Sequence, residues 1–329
     1  MAKLGLSVAI GDYDRTRALI DGTVAIDGVD PVFMTLVPEE IFFRAVRGTE
    51  FDICELSLSS HAMTTAQGSS PYVAVPAFLS RCFRHNAIYV RTDRVKKPAD
   101  LKGRKVGVPE YQVTANVWVR AFLADDYGVA PADIHWIRGG IEEPGRPEKL
   151  AINLPAGVRL DEAPAGTTIS ALLEAGEIDG FIAPRPPRLA ERGRPNVGWL
   201  FADPIAAAKD YFKRTGFFPI MHVLGIRREL AERHPWLPGA VFKAFAQAKQ
   251  LAVQRLADTA AASVTLPFVE ETLKDARAFM GEDFWSYGVA ANRKLIDYFL
   301  DQHHAQGLSS RRVTADELFH PATYETFKV

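Results

Sequence analysis

Six arginines, Arg15, Arg81, Arg84, Arg138, Arg146 and Arg185, fall in loops or near the ends of strand-like runs. A guanidinium fork can hold a carboxylate through two parallel hydrogen bonds, so these positions suit a small anionic ligand. The densest run is Arg81-Cys82-Phe83-Arg84-His85, which sets two guanidinium groups and an imidazole directly before a strand. That combination could grip a dianion through Arg81 and Arg84 and move a proton through His85. A second histidine, His222, lies on a later strand. Isolated arginines are more often solvated or ion-paired, and strand histidines more often structural, so clustering carries the reading. No H-E-x-x-H spacing occurs, and no metal site is assigned. The G-x-S-x-G elbow, the phosphate loop and the G-x-G-x-x-G fingerprint are all missing, which removes support for a serine hydrolase, a nucleotidase or a nicotinamide dehydrogenase.

Strand, loop and helix alternate along the chain, which predicts an α/β fold with a largely parallel sheet. Strands are expected at residues 4–10, 51–56, 86–92, 104–108, 134–137, 178–183 and 217–226. Helices are expected at 16–20, from Pro38 onward, at 113–123 with Gln112 or Thr114 as cap, and at 168–175, where Gly176 stops the last of them. The C-terminal hundred residues read as helical, at 237–256, 268–279 and 289–303, and residues 139–157 as a long loop. A break at 96–103 suggests a crossing between lobes. Residues 1–91 and 222–329 then form one lobe and 92–221 the other, with a ligand cleft expected between them.

Ligands of open α/β sheets gather at the carboxyl ends of strands, where helix N-termini favour anions. Three such ends stand out. Residues 11–16 carry Asp12 and Arg15; residues 55–60 carry Ser57, Ser59 and Ser60; residues 109–116 carry Glu110, Tyr111, Thr114 and Asn116. With Arg81, Arg84, Arg138, Arg185 and His222 these form the expected binding set. Any one hydroxyl taken alone is as well explained by helix capping.

The chain has 329 residues, enough for about two domains at the usual ~150 residues each. Its 39 Lys plus Arg balance 40 Asp plus Glu, so no global charge draws it to nucleic acid or an anionic membrane. Hydrophobic residues make up 47% and charged residues 24%, a globular rather than a disordered composition. The two cysteines, Cys54 and Cys82, build no C-x-x-C motif. Reduced thiols, the lack of a secretory leader pattern and the lack of an 18-residue apolar run predict a cytoplasmic protein.

Longer strings say more. Gly11-Asp12-Tyr13-Asp14-Arg15-Thr16, Phe51-Asp52-Ile53-Cys54-Glu55-Leu56-Ser57-Leu58-Ser59-Ser60, Ile134-His135-Trp136-Ile137-Arg138-Gly139-Gly140, Phe218-Pro219-Ile220-Met221-His222 and Met280-Gly281-Glu282-Asp283-Phe284-Trp285 resemble the 4,5-dihydroxyphthalate decarboxylase family. Asp100-Leu101-Lys102-Gly103 and Gly176-Glu177-Ile178-Asp179-Gly180 resemble type II periplasmic solute-binding proteins more widely. The resemblance spans essentially the whole chain and implies a two-lobed binding-protein scaffold with a helical C-terminal part. It also implies loss of CO2 from 4,5-dihydroxyphthalate to give protocatechuate during bacterial phthalate breakdown.

Each carboxylate of that substrate lies para to a hydroxyl, so no redox cofactor is required. On the residues alone, Arg81 and Arg84 would bind carboxylate, Glu110 would act on the hydroxyl and His85 would deliver the proton. Asp12, Tyr13 and Asp14 could contact the catechol oxygens or, with them, hold a divalent ion. Two alternatives stay open: a non-catalytic binder of aromatic acids, and a decarboxylase of a related hydroxylated acid. Self-association through helices such as 237–256 is also left open.

Overall fold

A computed structural model of the chain describes residues 3–188, 196–260 and 263–324. The chain divides into two compact units. The first comprises Met1–Arg81, Ile220–Asp297 and Val313–Val329, and the second Cys82–Pro219 and Tyr298–Arg312. The first crossing therefore falls ten residues before the expected 91/92 boundary. The reason is β5 (Ile88–Arg91), which pairs antiparallel with β9 (Gly180–Ile182) and β10 (Val197–Trp199) in the sheet of the second unit. Residues 298–312 join that unit because Tyr298 donates to Asp125 (2.6 Å) and Gln306 accepts from the buried Arg120 (2.7 Å).

In the first unit the strands run in the order β2 (Val29–Thr35), β1 (Leu4–Ile10), β3 (Ile53–Ser57), β11 (Ile220–Arg227), β4 (Tyr72–Arg81). β1 is parallel to both β2 and β3, whereas β11 is antiparallel to β3 and β4. Every residue of β3 is buried, as two-sided pairing requires. Helix α2 (Pro38–Gly48) starts with Pro38 and has Glu39 and Glu40 in its first turn. Helix α3 (Leu58–Ala66) is capped by Ser57, whose hydroxyl accepts the Ser60 N–H at 3.4 Å. Helix α1 (Asp14–Ile20) packs against the long helix Leu237–Leu256.

The second sheet runs β10, β5, β9, β6 (Lys105–Val108), β7 (His135–Arg138), β8 (Arg159–Glu162). Helix α5 (Ile169–Ala175) is capped by Thr168, whose hydroxyl accepts the Ala171 N–H, and it ends at Gly176 with φ +73°. Helix α4 (Thr114–Tyr127) departs from expectation, because its cap residue is Val113 and no side chain caps it. Residues 139–157 hold no helix or strand. Strands β2 and β4 escape the sequence pattern because each contains a proline, Pro31 and Pro76; both lie at sheet edges, where a missing N–H is tolerated. β8, β10 and the helix Pro204–Thr215 are likewise absent from the sequence reading. Among the described residues no helix is long and apolar enough to cross a membrane.

Candidate functional site

Glu55 sits in the middle of β3 with no exposed surface. Three donors converge on its carboxylate: the Gly11 N–H at 3.0 Å, the Tyr13 hydroxyl at 3.0 and 3.2 Å, and His222 Nδ1 at 2.5 Å. Gly11 is required here. A Cβ at that position would collide with the Tyr13 ring, which folds back over the backbone to reach Glu55. Tyr13 is held as the first turn of α1 begins, since the buried Thr16 hydroxyl accepts the Tyr13 N–H (3.0 Å) and donates to the Gly11 carbonyl (2.9 Å). Burial raises the Glu55 pKa, but His222, the Gly11 N–H and Tyr13 together outweigh it and hold the carboxyl below its ordinary value. Burial, followed by the Glu55 charge, pushes the Tyr13 phenol upward.

His222 lies opposite Ser57 of β3 and Ser80 of β4. The β11–β4 register passes from His222↔Ser80 to Leu224↔Val75, so residues 76–79 of β4 bulge out of the ladder. Bulges re-aim side chains and free carbonyls. Here the freed carbonyls are captured: Pro76 by the Gly288 N–H, Phe78 by Trp285 Nε1 and Leu79 by Arg15 Nε. One irregularity thus fixes both His222 and Arg15. The His222 ring packs edge-on against Phe42 at 4.8 Å, and its Nε2 has no hydrogen-bond partner among the described residues. With 18% of its side chain exposed, that nitrogen can meet a ligand.

The Arg15 guanidinium lies over two aromatic rings, 4.2 Å from the Tyr13 centroid and 4.6 Å from that of Trp285. A cation, a phenol, a carboxylate and an imidazole therefore form one continuous array.

The other expected residues of this unit behave differently. Arg81 is buried, donates to Ser286 O (2.6 Å) and Asn292 Oδ1 (2.5 Å), and is lowered to about 10 by burial. It anchors the Ser286–Asn292 stretch, in place of the expected carboxylate grip. Asp12 forms an exposed ion pair with Arg17 at 2.5 Å. Ser57, Ser59 and Ser60 are all buried at the start of α3, and Ser60 Oγ has no partner among the described residues.

The remaining expected residues lie in the second unit. His85 stacks on Phe122 at 4.4 Å with Phe201 and Tyr211 at 5.4 Å, and neither ring nitrogen has a partner among the described residues. Burial pushes it down to about 4, so near neutral pH this imidazole is uncharged and walled off from water. The residue expected to deliver the proton thus sits in an aromatic cage of the second unit. Glu110 is also fully buried, and both oxygens are taken: Arg146 donates at 2.8 and 2.9 Å, and Lys149 pairs with the other oxygen. Neither oxygen is left open to the substrate hydroxyl that Glu110 was expected to act on.

Glu148 accepts the Tyr111 N–H (2.5 Å) and Gln112 Nε2 (3.0 Å); burial, with the nearby Glu110 charge, raises its pKa. Tyr111 lies under Arg120, 3.7 Å from its centroid, and Asn116 donates to the Glu110 carbonyl at 2.8 Å. Thr114, buried, opens α4. Arg84 donates to the Pro184 carbonyl (3.4 Å), Arg138 pairs with Glu162, and Arg185 is exposed after β9. Arg81 and Arg84, adjacent in sequence, thus belong to different units.

The sequence reading missed Glu55, Glu148 and Lys149 as functional or charged-cluster residues. The available signal for Glu55 was an acid inside an otherwise apolar strand, Ile53–Ser57. Among the described residues no three His, Cys, Asp or Glu side chains are grouped so as to hold a metal ion.

No protein-family model matches the chain. It is 60% identical to a 4,5-dihydroxyphthalate decarboxylase of Comamonas testosteroni over 330 aligned residues, covering all of both chains. It is 54% identical over 218 residues to a 4,5-dihydroxyphthalate decarboxylase of Pseudomonas putida, covering 66% of this chain and 84% of the relative. Among solved structures, the periplasmic aliphatic sulphonate binding protein of Escherichia coli aligns with a TM-score of 0.52 at 16% identity, over 98% of this chain and 99% of that one. That likeness establishes the two-lobed α/β scaffold of binding proteins. By its full-length identity, the chain belongs to the 4,5-dihydroxyphthalate decarboxylase family.

Proposed function

We propose that the protein removes CO2 from 4,5-dihydroxyphthalate to form protocatechuate, with His222 delivering the proton and Arg15 holding a carboxylate. The full-length relationship supports the reaction, and the buried Glu55–His222 pair carries the residue assignment. Each ring carboxylate of this substrate is para to a hydroxyl. With that hydroxyl ionised, its electron pair flows into the ring while the carbon bearing the departing carboxylate takes a proton from His222 Nε2. The C–C bond to the carboxylate then breaks, its electron pair restores the aromatic ring, and CO2 leaves. One proton is consumed per turnover, since a carboxylate is exchanged for a C–H bond and neutral CO2, and the solvent supplies a fresh proton to His222 for the next cycle.

Glu55 keeps the imidazole oriented and stabilises its protonated form through Nδ1. Tyr13 and the Gly11 N–H satisfy the other carboxylate lone pairs, so the charge is held without a permanent cation. Incubating the purified protein with 4,5-dihydroxyphthalate should yield protocatechuate and CO2 in equal amounts. In His222→Gln, turnover should fall about 10²- to 10⁴-fold, the usual contribution of a positioned proton donor. Turnover within threefold of the parent would remove His222 from the reaction.

A further inference from the structure

Trp285 comes from the loop between the helices Val269–Met280 and Val289–Ala305, far along the chain from Arg15. Nevertheless the Arg15 guanidinium lies over its ring as well as over that of Tyr13, 4.6 and 4.2 Å from the two centroids. The two residues are tied to successive carbonyls of the β4 bulge, Trp285 Nε1 to Phe78 O at 2.8 Å and Arg15 Nε to Leu79 O at 2.7 Å. The tryptophan is fixed again by its own carbonyl, which accepts Lys249 Nζ at 3.2 Å, and by the neighbouring Gly288 N–H on Pro76 O. Arg15 Nη1 meets Asp14 at 3.1 Å, and Nη2 has no partner among the described residues. The side chain is 16% exposed, so the fork is held in one plane by two rings with one corner open.

We propose that Trp285 is a positioning residue: it sets the plane of the Arg15 guanidinium and thereby the affinity for the substrate carboxylate. The inference deepens the proposed function and rests on its assignment of Arg15 to that carboxylate. A planar cation packed against two rings loses its tilting freedom before substrate arrives, so binding need not immobilise it. Nothing in the array couples Trp285 to the proton held at His222 except through Tyr13, so binding should respond more than the chemical step.

The test is a double-mutant cycle in the full-length protein, with kcat and KM for 4,5-dihydroxyphthalate and a thermal melt for each variant. Trp285→Leu should raise KM about tenfold, between the exposed and the fully desolvated range of a cation–π contact, with kcat within about threefold. Trp285→Phe keeps a ring face and should recover most of the affinity. Trp285→Met replaces the leucine variant if that one does not fold. In an Arg15→Ala background, Trp285→Leu should add less than about twofold, because the group it positions is gone. Additive effects, a loss confined to kcat, or a phenylalanine variant no better than leucine would overturn the proposal while leaving the Arg15 assignment intact. An Arg15→Ala variant with the parent KM would overturn the assignment itself, and the inference with it.

Discussion

Replacing Glu55 by glutamine should stop catalysis while sparing the fold, and the geometry says by how much. The carboxylate receives the Gly11 N–H, the Tyr13 hydroxyl and His222 Nδ1, and the amide matches it in shape. With the amide oxygen turned to Gly11 and Tyr13, the NH2 group faces Nδ1. The imidazole must then accept at Nδ1, and protonating that nitrogen would set N–H against N–H. Loss of the charge-assisted bond costs about 1.5–3 kcal/mol and the donor–donor conflict about 1–3 more. A penalty of about 3–5 kcal/mol on the protonated imidazole corresponds to roughly 10²- to 10⁴-fold in kcat. KM should stay within about threefold, because Arg15 is untouched. Stability should change by less than about 2 kcal/mol, since a buried charge is removed with its shape conserved. Glu55→Ala would strand all three donors beside a cavity and cost about 3–5 kcal/mol. Chromatographic measurement of protocatechuate at saturating substrate, with a urea melt of each variant, separates the two losses. A glutamine variant within tenfold of the parent kcat would refute the reasoning.

His61 and His85 are both pushed down to about 4 by burial, so the unfolded chain binds more protons than the folded one between about pH 4 and 6.5. Stability should therefore be fully present above that window and decline as the pH falls through it, by about 3 kcal/mol per histidine at ~1.4 kcal/mol per pKa unit. His85→Phe should remove close to half of that acid-dependent loss in urea titrations at pH 7 and 4.5 while retaining turnover; an unchanged loss, or abolished turnover, contradicts its place in packing. Glu110→Gln should leave Arg146 and Lys149 with an uncompensated buried charge and cost about 3–5 kcal/mol in a denaturant melt, partly recovered by adding Lys149→Met. A loss below about 1 kcal/mol would show that the ion cluster is not structural.

Local signals in the sequence were faithful where a residue's role depends on near neighbours. Ser57 caps its helix, Gly176 ends α5, and the three long C-terminal helices lie close to where their apolar stripes put them. Residues whose role depends on distant partners were read less well. Glu55 shares a strand face with Phe51 and Ile53, and the groups that satisfy its carboxylate, Gly11 and His222, come from segments distant in sequence. The run Arg81-Cys82-Phe83-Arg84-His85 looked like one basic site, but a unit boundary passes through it, and the His85 cage comes from Phe122, Phe201 and Tyr211. Arg146 and Lys149, which occupy Glu110, come from a loop with no periodic pattern at all.

Two fully buried glutamates invite the same functional guess, and their partners separate them. Glu110 is paired with a guanidinium and an ammonium, Arg146 on one oxygen and the buried Lys149 on the other, so both its oxygens are occupied before a ligand arrives. Glu55 has only an imidazole, a phenol and a backbone N–H. The imidazole also carries a second nitrogen, Nε2, on a side chain that is 18% exposed, where a ligand can reach it. A negatively charged aromatic acid brought near His222 Nε2 adds to the field that Glu55 already exerts on Nδ1, which favours the imidazolium while substrate is bound. Once the proton is on carbon, the carboxylate departs as neutral CO2, and that part of the field leaves with it. A permanent cation in place of His222 would hold the substrate but could not give up a proton to carbon, so His222→Arg should bind 4,5-dihydroxyphthalate and leave it unchanged. Protocatechuate formation by that variant at more than about a hundredth of the parent rate would show that the proton comes from another group.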